Sequence, residues 1–91
     1  VIACVIPHFN YGRYLEGAVR SICEQVDKVI VVDDHSDCEN RDLARAVWDK
    51  YSKNVIFEYN IGKQGMACAR NHGLWVAMRH KADFVLFLDA D

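Results

Sequence analysis

Apolar residues along this chain follow two alternating rhythms. Four short runs, residues 1–6, 29–32, 55–57 and 84–88, are dense in Val, Ile and Phe and show no polar alternation. That pattern suits strands of a parallel sheet buried on both faces, because a strand covered by helices above and below has no polar side to present. Between the runs, apolar positions recur at helical spacing. Leu15, Ala18, Val19, Ile22 and Cys23 follow the i, i+3, i+4, i+7, i+8 rule; Leu43, Ala46, Val47 and Tyr51 repeat it more briefly. Met66, Ala69, Gly73 and Ala77, flanked by Leu74 and Met78, do so again. The resulting order is βαβαβαβ with short connections. A parallel neighbour needs a crossover, and such crossovers are right-handed, so the pattern predicts an α/β fold with a doubly wound, mainly parallel, Rossmann-like sheet.

Composition narrows the class without choosing a function. With 91 residues, 52% hydrophobic and 26% charged, the chain is a soluble core-former of one domain at most. A chain of this size buries a limited fraction of its surface. It opens on a strand without an initiator Met and stops at Asp91 directly after an apolar run. Residues 1–91 are therefore expected to be a single partial domain. The net charge is −2, with 11 basic and 13 acidic residues scattered rather than blocked, which excludes a nucleic-acid patch and a polybasic membrane surface. No apolar run approaches the roughly 18 residues of a membrane span, and the first residues lack the basic start of a signal peptide. Membrane association of a full-length protein stays open. Cys4, Cys23, Cys38 and Cys68 form no C-x-x-C pair, and three of them fall within strand or helix patterns. Reduced thiols and a cytoplasmic location are the expectation.

In sheets of this kind ligands bind beyond the carboxyl ends of the strands. Four loops occupy those positions: residues 7–12, 33–37, 60–65 and 89–91. Asp89 and Asp91 are hard oxygen donors suited to Mg²⁺ or Mn²⁺, although Asp also favours turns for its own hydrogen bonding. Asp33 and Asp34 are acceptor-only carboxylates, and one of them suits the N–H edge of a base. An N-cap role is the alternative there, shared with Ser36 and Asp37. Gly62, Gly65, Lys63 and Arg70 would let backbone and cations approach an anionic ligand; a turn with positive φ at the glycines is the other reading. The spacing is neither a Walker loop nor G-x-G-x-x-G. His8, His35, His72 and His80 have no metal-binding spacing, and His8 alone is singled out as belonging to the presumed pocket. Tyr11, Tyr14, Trp48 and Trp75 are expected to be packing residues.

Taken in order, VIPHFN, VVDDHS, NIGKQGMACARN and FLDAD resemble the four signatures of the family 2 glycosyltransferases of the GT-A fold, over the whole chain. The resemblance implies that Pro7, His8 and Phe9 line a nucleobase site. It implies that Asp34 hydrogen-bonds the base, Asp33 supports the loop, and Gly65 and Arg70 border base and phosphates. Asp89 would reach the ribose or a metal-bound water, and Asp91 would ligate the Mg²⁺ or Mn²⁺ that bridges the diphosphate. The implied reaction is inverting, metal-assisted transfer from a nucleoside diphosphate sugar, most often a UDP-sugar, to a hydroxyl acceptor on a glycan, lipid or protein. The family's general base lies downstream of the D-x-D motif, so no catalytic residue is expected within residues 1–91. Two departures stand out: His35 where the family often has Gly, and His8 where a small residue is common. A non-catalytic binding module of the same kind is an alternative. A receiver-type phosphoacceptor would carry its acid pair after the first strand, and a nucleotidyltransferase would carry a Gly-rich loop with Arg and Lys there; residues 7–14 offer neither.

Overall fold

The computed structural model describes residues 1–51 and 53–89. Strands β1 (Ile2–His8), β2 (Lys28–Asp33), β3 (Val55–Tyr59) and β4 (Phe84–Phe87) alternate with helices α1 (Gly12–Ile22), α2 (Cys38–Tyr51) and α3 (Met66–Arg79). All pairings are parallel and the strand order is β3-β2-β1-β4. The chain steps outward from β1 to β3, then returns across β1 to lay β4 on the other side. The reversal between β1 and β4 is the topological switch point, where neighbouring loops diverge and leave a crevice.

Strand periodicity sorts the core into two layers. Cys4, Ile6, Val29 and Val31 point to one face and pack with Leu15 and Val19 of α1 and Ala44 and Val47 of α2. Ala3, Val5, Ile30 and Val32 point to the other and meet Ala69, Val76 and Ala77 of α3. Close approach fixes the helices. A Cβ on Gly73 would run into the Cγ1 of Val5, and one on Gly12 would stand 2.7 Å from the Cβ of Leu43. All four cysteines are free; Cys4 is buried and burial pushes its thiol up to about 11, whereas Cys38 is exposed at the start of α2. Among the described residues no helix is long and apolar enough to cross a membrane.

The structure corrects the sequence reading at several points. β1 extends past its apolar run, so Pro7 and His8 belong to the strand, paired with Val32 and Asp33. Proline in a central strand normally deletes a ladder bond. Here it deletes none: Val5 accepts from Leu88 on the β4 side and His8 accepts from Asp34 on the β2 side, so Pro7 faces β4, whose pairing has stopped at Val5–Phe87. β4 is not buried on both faces. It is an edge strand, as β3 is on the other side, with Phe84 68%, Leu86 47% and Phe87 49% exposed; the face of Phe84 and Leu86 is left open because α1 and α2 lie over the other three strands. In α2, Leu43 and Ala46 turn outward while Ala44 and Val47 carry the buried stripe. Tyr11, Tyr14, Trp48 and Trp75 are exposed rather than packed inside. Trp48 still anchors α2 to β3 by donating its indole N–H to the Val55 carbonyl at 3.0 Å.

Candidate functional site

Side chains on a strand alternate between faces, and this alternation separates the two adjacent acids at the end of β2. Asp33 follows Val29 and Val31 toward α1 and α2; Asp34 follows Ile30 and Val32 toward α3. Both are buried. The repulsion between adjacent carboxylates is relieved because they leave the backbone in opposite directions, each into its own set of donors.

On the α1/α2 face, His8 lies beside Asp33 across the β1–β2 pair, its Nε2 3.5 Å from Oδ1. Asp33 accepts the Ser36 N–H at 3.3 Å and has the Arg41 Nε 3.7 Å from its Oδ2. Arg41 also donates to the Ser36 carbonyl at 3.2 Å and lies over the Tyr59 ring. Burial pushes the His8 imidazole below its usual 6.5, while the Asp33 carboxylate and the Asn40 backbone pull the other way. A neutral ring follows. Neither of its nitrogens, nor Asp33 Oδ1, nor Arg41 Nε, has a hydrogen-bond partner among the described residues. The first two loops are stitched together just above: the Asn10 N–H donates to Ser36 Oγ at 3.0 Å, and Asn10 Oδ1 accepts the Asp37 N–H at 2.9 Å. Asp37 in turn caps α2 by accepting the Asn40 N–H at 2.9 Å, which holds its carboxyl below the usual range.

On the α3 face, Asp34 is the centre. Its Oδ2 accepts the Gly65 N–H at 2.9 Å and its Oδ1 accepts an amide hydrogen of Asn60 at 2.8 Å. Asn60 is itself buried; it donates to the Lys63 carbonyl at 3.0 Å and accepts the Gly62 N–H at 3.2 Å. His35 contacts the Gly62 carbonyl through Nε2 at 3.0 Å. Gly65 opens α3 at φ 148°, a conformation that favours glycine, and a Cβ there would meet nothing within 4 Å. The glycine is required by its backbone angle, and the space beside it is open. Gly62 is not among the residues at positive φ.

The remaining candidates lie around this centre. Pro7 is buried and Phe9 half-buried at the end of β1. Arg70 is exposed. His72, which meets Glu58 at 3.1 Å, marks the β3 flank of α3. Two residues are about 200° apart on a helix, so Arg70 sits on the opposite flank, toward the switch point. Leu88 continues the ladder by donating to Val5 at 3.0 Å and packs toward α1 and α2. Asp89 follows and is exposed. Asp91 lies outside the described residues. Among the described residues no three His, Cys, Asp or Glu side chains gather as a ready-made metal site. A groove of about 260 Å³ lies elsewhere, between α1 and α2, lined by Gly12, Glu16 and Lys50 among others. Asn10, Ser36, Arg41 and Asn60 hold the strand-end loops together, yet the sequence reading gave none of them a site role. Asn10 meets Ser36 and Asn60 meets Asp34 across 26 residues of sequence, a separation that periodicity does not reveal.

The model of the family described as glycosyl transferase family 2 matches residues 3–91. The chain belongs to this family. An uncharacterized glycosyltransferase of Nostoc sp. is 33% identical over 95 aligned positions, which cover 99% of the chain and 28% of that relative. TuaG of Bacillus subtilis, named for a proposed glycosyltransferase role in teichuronic acid biosynthesis, is 30% identical over 100% of the chain and 36% of its own length. A mannosyltransferase from Pyrobaculum calidifontis, solved in complex with GDP-Man and Mn²⁺, superimposes with a TM-score of 0.74 at 24% identity, over 99% of the chain and 27% of that structure. The family 2 chain thus spans about a third or less of the length of these relatives. The shared GT-A fold is the parallel sheet with helices on both faces seen here.

Proposed function

We propose that the strand-end loops bind a nucleoside diphosphate sugar, and that the full-length protein transfers the sugar to an acceptor hydroxyl with inversion. The observation that carries this reading is a buried acceptor-only carboxylate, Asp34, 2.9 Å from an open glycine backbone, Gly65, at the carboxyl ends of the parallel strands, the sheet edge at which the exposed Asp89 follows β4. In this reading Asp34 accepts an N–H of the base, which a UDP donor offers. Pro7, His8 and Phe9 form the floor beneath the base, with Asp33 holding His8 and the second loop from below. Arg70 faces the diphosphate from the flank of α3. Asp89 and Asp91 would hold Mg²⁺ or Mn²⁺, whose hard-oxygen preference fits carboxylates and which supplies charge neutralisation on the departing diphosphate when bound. The acceptor oxygen bonds to the anomeric carbon from the face opposite the leaving group, and the bond to the β-phosphate oxygen breaks. The acceptor proton passes to a carboxylate base outside residues 1–91. Residues 1–91 are then the donor half of a larger domain, a reading supported by the lengths of the relatives and the uncovered faces of β4.

The test is thermal unfolding of the full-length protein with UDP and GDP, each with and without Mn²⁺. A rise in the midpoint with a nucleoside diphosphate is expected, and Asp91→Ala should remove the metal-dependent part. No shift with any nucleoside diphosphate would sink the donor-site reading.

A further inference from the structure

The third loop is gripped at Gly62 from two sides. From below, the buried Asn60 accepts the Gly62 N–H at 3.2 Å; from above, His35 Nε2 lies 3.0 Å from the Gly62 carbonyl. A carbonyl only accepts, so the contact assigns a proton to Nε2. His35 reaches this position from a backbone at φ 63°, in the left-handed region that glycine enters freely and other residues rarely use. Its neighbour Asp34 binds the far end of the same loop through the Gly65 N–H. The segment between Gly62 and Gly65 is therefore tied at both ends to residues 34 and 35 of one short turn.

We propose that His35 is a positioning residue for the nucleotide: a latch that holds the Gly62–Gly65 backbone in its binding arrangement before the ligand arrives. The proposal rests on the donor-site reading above. A loop already ordered loses less conformational freedom when the nucleotide binds, and the saving is expressed as affinity. Among the described residues the imidazole's hydrogen-bond partner is the loop carbonyl, so it acts through Gly62 and not on the reacting atoms. The side chain stands at a backbone angle suited to glycine, and the hydrogen bond to the loop is what it adds there.

Two substitutions separate the latch from the fold. His35→Gly removes the ring and suits the backbone angle; His35→Gln keeps an amide N–H at nearly the reach of Nε2. The full-length protein is titrated calorimetrically with UDP and with GDP in the presence of Mn²⁺, and amide hydrogen exchange of residues 62–65 is measured without nucleotide. His35→Gly should bind about threefold to tenfold more weakly, the loss of one modest hydrogen bond. Its unfolding midpoint should be no lower than that of the wild type, and its loop amides should exchange faster. His35→Gln should bind within about twofold of wild type on the same scale. A merely structural role would lower the midpoint together with the affinity. Unchanged binding by His35→Gly, or an equal loss in His35→Gln, overturns the latch. If the wild type binds neither nucleotide while His35→Gly still accelerates loop exchange, the donor-site reading falls and the loop tie alone survives.

Discussion

Replacing the Asp34 carboxylate by the isosteric amide, Asp34→Asn, isolates one structural demand of the site. The wild-type side chain is 1% exposed and both oxygens accept: Oδ1 from Asn60 at 2.8 Å, Oδ2 from the Gly65 N–H at 2.9 Å. An amide has one oxygen. With that oxygen toward Asn60 it still lies 3.2 Å from the Gly65 nitrogen, but the shorter contact is lost and its NH₂ faces the Gly65 N–H; flipped, its NH₂ faces the Asn60 amide. Either way one buried donor confronts another. Hydrogen bonds to a charged group contribute about 1.5–3 kcal/mol, and an orphaned buried donor costs about 1–3 kcal/mol. The expected destabilisation is about 2 kcal/mol, most of it from a single broken contact. Urea unfolding monitored by circular dichroism measures it as a lower midpoint at unchanged slope. The loss should be local in origin, so amides at the start of α3 should exchange faster than those of β1 and β2. A variant within about 0.5 kcal/mol of wild type, the range of ordinary surface substitutions, would refute the claim that Asp34 organises the third loop.

Three further outcomes follow from the same structure. Because burial lowers the His8 pKa below 6.5, the folded state favours the neutral ring; stability is full above about pH 6.5 and is lost as pH falls through the folded pKa. His8→Gln should flatten the decline in thermal midpoint between pH 7 and pH 5 relative to wild type, and an unchanged slope counts against a neutral buried imidazole. Gly73→Ala forces a methyl against Val5 and should destabilise by about 1–3 kcal/mol in urea unfolding, by overpacking; a neutral result would mean that α3 does not ride as close to β1 as described. Cys38 should react with a maleimide in the folded protein while Cys4, buried and with its thiol pushed up to about 11, should react only on unfolding; mass spectrometry of the labelled peptides decides it.

The apolar rhythm of the sequence foretold every element and the parallel architecture, because fully buried strands and one-sided helices leave different periods. It misjudged β4 for a definable reason. Phe84, Leu86 and Phe87 read as a buried strand by composition, but burial depends on which helices lie over a strand, and periodicity does not encode that. The loops were legible as a group through their turn residues and acids. Their internal wiring was not: Asn60 to Asp34 and Asn10 to Ser36 each join residues 26 apart in sequence. His35 shows the limit most clearly. It had no metal spacing and no neighbour in sequence to explain it, and its contact with Gly62 exists only because two separate loops arrive at one sheet edge.

The pair Asp33–Asp34 also explains how one strand end performs two tasks without electrostatic conflict. Period-two alternation turns Asp33 beneath the sheet edge, against His8, Ser36 and Arg41, where it braces the first two loops. The same alternation turns Asp34 to the α3 side, where the third loop folds onto it and the open backbone of Gly65 lies alongside. A one-residue slip of β2 could keep only one of these roles: either Asp33 turns to the α3 side and Val32 takes its place against His8, or Asp34 turns beneath the sheet edge and His35 takes its place against the buried donors of Asn60 and Gly65. Register is therefore the variable on which the site depends. It is set far from the crevice, by Val29, Val31, Ile30 and Val32 packing into two different cores. An insertion of one residue within β2 should for that reason abolish nucleotide-dependent stabilisation together with the fold, whereas an insertion in the exposed turn at Lys81 should leave both nearly intact.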